Sequence, residues 1–248
     1  MRAKGIGPIT LLAGLAAGAQ VAHATGFEKL SKTGEDVLTT CNPSSSAANN
    51  TCRVTSLPGV GGYDLVAARS APLIFNDVTI GTLYEKVWRH HTKPKVYIFG
   101  TRVVMNAEPY DSSGAAFNVN DLFRQTLPGK AVSVAYFQDG ATKALKKAGR
   151  TIQGLNEFEE DEPERNNTWV DFRIDANAAE PSGPSSASSP WVLARTRAPT
   201  GIALNALGLR VLSSDVDDIL DAVDFYTTSY QPNGVPPPDD DDDEGDDE

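Results

Sequence analysis

Residues 81–103 read GTLYEKVWRHHTKPKVYIFGTRV, and their pattern decides the fold. Within Thr82–Arg89, the residues Leu83, Glu85, Val87 and Arg89 alternate with Tyr84, Lys86 and Trp88. A period of two in aromatic and β-branched residues marks a strand with two distinct faces. Lys93-Pro94 breaks the run, and Lys95–Met105 resumes the same texture. Two such runs joined by a short break predict an antiparallel pair.

The texture spreads outward from this pair. Leu73–Ile80, Phe117–Phe123, Ala131–Phe137, Thr168–Asp175 and Trp191–Arg197 read as further strands, with Gly208–Ser213 and Ala222–Tyr230 as weaker ones. Gly81, the stretch from Pro109 to Gly114, and Pro128-Gly129 are the expected breaks between them. In Thr168–Asp175, Trp169, Asp171 and Arg173 oppose Val170, Phe172 and Ile174. Ala141–Ala148 (ATKALKKA) reads as a helix at the surface, closed by Gly149. The expected fold class is all-β: an antiparallel β-sandwich or jelly-roll-like body over residues 63–230, with one short helix and disordered termini.

The ends carry a different message. Residues 1–24 open on Arg2 and Lys4, continue through an apolar stretch, Ile9 to Ala17, and finish on Ala22-His23-Ala24. These are the parts of a secretory signal peptide cleaved after Ala24, and the apolar stretch is too short to span a bilayer. The mature chain is therefore expected to be secreted or periplasmic, with no transmembrane segment. Residues 25–62 form an N-terminal extension in which Cys41 and Cys52 enclose a polar loop, NPSSSAANNT. In an oxidising compartment that spacing predicts a structural disulfide. At the other end, residues 231–248 run from QPNGVPPP into DDDDDEGDDE, a proline stem and an acidic tail with almost nothing to bury. The stem is expected to hold the acids away from the body.

Charge and composition exclude several classes. The chain has 248 residues, 40% of them apolar, and a net charge of −11. Two bases leave with residues 1–24 and nine acids with residues 239–248, so the body between them carries −4. That balance speaks against nucleic acid as a partner, because phosphate binding rests on clustered Lys and Arg. Two cysteines in all rule out a four-Cys zinc site. No G-x-S-x-G turn, H-E-x-x-H helix or phosphate loop is present. His90 and His91 are adjacent, and on a strand they point to opposite faces, so they do not form a ligand or base pair.

Calcium is the cation that fits best, since hard ions take clustered oxygen ligands. Two groups qualify: Asp171, Asp175, Asn177 and Glu180, and then Asp215, Asp217 and Asp218 with Asp221 and Asp224. Neither reproduces a calcium-loop signature, and solvated strand ends and turns are the more common explanation of such acids. Trp88, Trp169 and Trp191 offer a sugar-stacking row or, alternatively, core residues. Lys143, Lys146, Lys147 and Arg150 could meet an anionic polymer or mark a solvated face.

Gly81–Val103 together with Asn167–Thr196 (NTWVDFRIDANAAEPSGPSSASSPWVLART) resembles the secreted bacterial β-sandwich proteins of the choice-of-anchor type. The resemblance spans roughly residues 70–200 and lies in strand texture. It implies an exported envelope or matrix protein with an all-β body, and it brings no catalytic residues. The chain departs from that group at its end, where an apolar sorting segment with a basic flank is replaced by acids. The leading expectation is a non-enzymatic binding or structural protein of the envelope or matrix, cation-responsive, whose partner is an extracellular polymer or envelope protein. A secreted hydrolase acting on polysaccharide or polyester through groove carboxylates is the alternative. An oligomer paired through strand edges is the third reading.

Overall fold

The computed structural model describes residues 26–30, 52–112, 114–139, 147–153, 166–178, 187–215 and 218–236. The expected signal segment with Ala24, Cys41, the acidic residues 239–248 and residues 141–146 of the expected helix lie outside them. The strands are β1 (Glu28–Lys29), β2 (Tyr63–Phe75), β3 (Val78–His90), β4 (Val96–Met105), β5 (Val119–Gln125) and β6 (Ser133–Phe137). They continue as β7 (Lys147–Gly149), β8 (Trp169–Ala176), β9 (Trp191–Arg197), β10 (Ile202–Asp215) and β11 (Asp218–Pro232). One sheet has the order β1-β6-β9-β4-β3-β2 and the other β11-β10-β5-β8-β7. Every strand pairing within the two sheets is antiparallel.

The expected alternation holds in β3. Leu83 and Val87 are buried on the inner face beside Glu85. On the facing sheet Leu122, Val170, Phe172, Ile174, Leu209 and Val211 meet Leu83, Val103 and Val192 in the main core. No helix occurs among the described residues, and Lys147 and Ala148 are not helical. Ala148 is fully buried in β7 opposite Phe172, so there the chain completes the sheet edge and is not a surface excursion.

Two local expectations shift. The β2–β3 reversal falls at Asn76 and Asp77, with φ of 48° and 62°, and not at Gly81. Asn and Asp tolerate the left-handed region that a two-residue hairpin requires. Gly81 lies inside β3, where a Cβ would stand 2.6 Å from the Val104 carbonyl oxygen. Its glycine serves close strand approach. The second shift is β2 itself, which begins ten residues before Leu73 and forms a partly exposed edge. A register irregularity near Val66 and the missing N–H of Pro72 interrupt that edge, two features that discourage edge pairing.

The N-terminal residues cover the outer face of the first sheet. Phe27 and Val54 pack with Trp88, Ile98, Trp191 and Leu193. Trp88 lies across Gly100, where an added Cβ would come within 2.8 Å of its ring. Cys52 is fully buried in the main core.

Candidate functional site

Charged side chains gather in three places, each set by strand register. The first lies between the sheets. Glu85 and Thr101 are paired across β3 and β4, and Arg124 reaches them from β5. The Glu85 carboxylate accepts from Arg69 Nε at 2.7 Å, Arg124 at 2.8 Å, the Ser229 hydroxyl at 2.5 Å and the Tyr230 N–H at 3.3 Å. Arg124 also donates to the Tyr230 carbonyl, and Arg69 to that of Thr228. Burial pushes the Arg124 guanidinium below the ordinary arginine value, and the charge and hydrogen bond of Glu85 oppose that push. This layer separates the main core from a smaller cluster of Val87, Tyr97, Phe99 and Ala198. It fastens β2, β3, β4 and β5 to β11.

The second place is the outer face of the other sheet. Asp121 pairs in register with Arg173 and accepts from its guanidinium at 2.7 Å. Asp171 stands beside Asp121, fully buried, and neither of its oxygens accepts a hydrogen bond. Burial first, and then the Asp121 charge, push the Asp171 carboxyl well above the usual range, while Arg173 and Arg210 pull it down. A shift in that direction favours the neutral form of Asp171, which can donate to Asp121. Phe123, Trp169 and Leu212 form the apolar surround. Arg210 lies with its guanidinium carbon 5.0 Å from the Phe123 ring centroid and pairs with Asp224. Two carboxyls closed off from solvent in this way do not meet a polymer.

The structure therefore joins Asp171 to Asp121, a partner that sequence alone did not single out. Asp175 lies four residues along β8, about 13 Å away at ~3.3 Å per residue, so one ion does not bridge it to Asp171. Asn177 is buried just beyond the strand. Asp215 and Asp218 face each other in backbone register across the β10–β11 turn. Glu180 and Asp217 lie outside the described residues. Among the described residues no three His, Cys, Asp or Glu are grouped to hold a metal ion. Trp88, Trp169 and Trp191 are each at most 5% exposed, which overturns the stacking row and leaves the core role. Arg150 is also drawn inward: burial lowers it to about 10, and it donates to the Asn167 carbonyl.

The third place is one end of the sandwich. The 91–95, 126–132 and 198–201 connections meet there, as does the exit of β11. Arg89 stands opposite Tyr97, and Arg197 opposite Val96. The Lys95 carbonyl accepts from Ala198 N–H at 2.8 Å, and Thr196 bonds the Ala131 carbonyl next to Lys130. Arg89, Lys93, Lys95, Lys130 and Arg197 are all exposed, and none forms an ion pair among the described residues. Asp64, an exposed acid in register with Arg89, is engaged by His91 at 2.9 Å. Sequence reading missed this cluster because its members come from three separate stretches, 89–95, Lys130 and Arg197. No protein family, curated protein or solved structure matches the chain.

Proposed function

We propose that the protein is an exported, non-catalytic binding protein of the cell envelope or extracellular matrix that engages an acidic polysaccharide through its cationic end. The observation that carries this reading is the set of five exposed bases, Arg89, Lys93, Lys95, Lys130 and Arg197, none of them in an ion pair among the described residues. Long flexible cations gathered at strand ends and on the adjoining loops of a rigid sheet scaffold suit a polyanion whose charges are spread along a chain. Export rests on residues 1–24, and it selects polysaccharide over nucleic acid as the anion encountered. A body of net charge −4 also lacks the broad positive field of a phosphate binder.

The test is binding of the full chain to alginate, with dextran as the neutral control and single-stranded DNA as the competing polyanion. A second full-length chain, with the nine acids of residues 239–248 replaced by Asn and Gln, is run beside it. Binding to alginate that falls with salt and is lost in Lys93→Glu/Lys95→Glu/Lys130→Glu supports the reading. Equal binding to dextran, or binding untouched by the triple variant, overturns it, and preference for DNA redirects it. Release of reducing ends from the polysaccharide would favour the hydrolase alternative. Calcium responsiveness rests on sequence alone. It predicts a higher melting midpoint in millimolar calcium, and an unchanged midpoint removes calcium from the account.

A further inference from the structure

The cationic end is also where the chain leaves the sandwich. Pro232 pairs with Ile202, Asn233 N–H bonds the Gly201 carbonyl at 2.9 Å, and Thr200 bonds the Asn233 carbonyl at 2.7 Å. Val235 is buried, and Gln125 reaches the Pro236 carbonyl at 3.5 Å. An unbroken set of backbone contacts thus runs from Lys95 through Ala198 and Gly201 to Asn233. Only Pro237 and Pro238 separate this anchored exit from Asp239. At no more than ~3.6 Å per residue, chain length alone allows the ten residues after Pro238 a reach of up to roughly 35 Å. A six-stranded sheet at ~4.8 Å per strand is about 25 Å wide, so the acids can span the whole end.

Resting on the binding reading above, we propose that the cationic end formed by Arg89, Lys93, Lys95, Lys130 and Arg197 is the docking site of the chain's own acidic segment, Asp239–Glu248. The segment carries nine acids, the sign and density that suit five bases with no ion pair among the described residues, and it follows the anchored exit directly in sequence. Tethering makes the contact intramolecular, with an effective concentration in the millimolar range. The tail then shields the cationic end, and a polyanion gains access by displacing it.

Zero-length carbodiimide coupling of Lys amines to carboxylates, applied to the full chain and read by peptide mass spectrometry, tests the docking with no polymer present. The expected result is coupling of residues 239–248 to Lys93, Lys95 and Lys130 within single chains. It should fall several-fold as ionic strength rises from ~0.01 to ~1 M, where the Debye length shrinks from about 30 to about 3 Å. Arg89→Gln/Arg197→Gln, two exposed changes that leave the three lysines available, should lower that coupling several-fold as well. Coupling spread evenly over Lys86 and Lys147, coupling between chains, or occupation of the three lysines by the acids of residues 154–165 overturns the proposal. Neutralising the tail should raise alginate affinity roughly tenfold, the competition expected of a tethered segment. Equal affinities without tail coupling reject the docking and leave the binding reading standing. Tail coupling without alginate binding by either chain rejects the binding reading alone.

Discussion

Glu85 is the residue whose change should speak most clearly about how the sandwich is held. Its carboxylate receives four donors, two of them guanidinium groups, and it is 1% exposed, while Arg124 beside it is 2% exposed. Glu85→Gln keeps the shape and removes the charge, leaving the Arg124 cation buried without its counterion. Breaking a buried pair from one side costs about 3–5 kcal/mol. For a chain of this size that corresponds to a fall in Tm of about 10 °C. The same reasoning predicts recovery. In Glu85→Leu/Arg124→Met neither buried charge remains, and replacement of a buried pair by apolar groups is often neutral. Urea denaturation of the wild type, Glu85→Leu, Arg124→Met and the double variant gives the coupling directly. A loss below about 1 kcal/mol for Glu85→Gln, or a double variant worse than the sum of the singles, would refute the claim that this layer is a mutually dependent pair.

Other outcomes follow from the same geometry. Asp171 has a folded-state pKa raised above its unfolded value, so its neutral form favours the fold at low pH and that contribution is lost as pH rises above the unfolded value. Asp171→Asn should therefore gain stability relative to wild type between about pH 4 and neutrality, by at most ~1.4 kcal/mol per pH unit. Parallel denaturation midpoints across that range would contradict it. Gly100→Ala should push Trp88 off the sheet, costing about 1–3 kcal/mol and shifting tryptophan emission; an unchanged spectrum at full stability argues against the close approach. Intact mass of the exported protein should show loss of residues 1–24 and of two hydrogens at Cys41 and Cys52; a full-length, reduced chain in the external fraction counts against the export reading.

Much of the fold was legible because hydrophobic alternation is a local signal. Trp191–Arg197 matches β9 at both ends, and the Thr82–Arg89 faces are those of β3. The first part of β2 was not legible, since YDLVAARSAP is rich in small residues and sits at an edge that demands little hydrophobic pattern. Gly81 misled for a physical reason, because glycine marks both turns and close backbone contacts. The site was harder still. Asp121 and Asp171 are 50 positions apart and meet only through β5–β8 register, and Lys130 joins Lys95 only through strand order. Periodicity reports which face a residue takes, while register and strand order decide its neighbours.

The central claim is that anions are engaged at the sandwich end carrying Arg89, Lys93, Lys95, Lys130 and Arg197. Its most direct test is alginate titration, at low and high salt, of the full-length chain with a neutralised tail and of the same chain carrying the Lys93, Lys95 and Lys130 charge reversals. The account predicts salt-sensitive binding to the first and at least tenfold weaker binding to the second, with equal thermal stability. Equal affinity for both chains would contradict it.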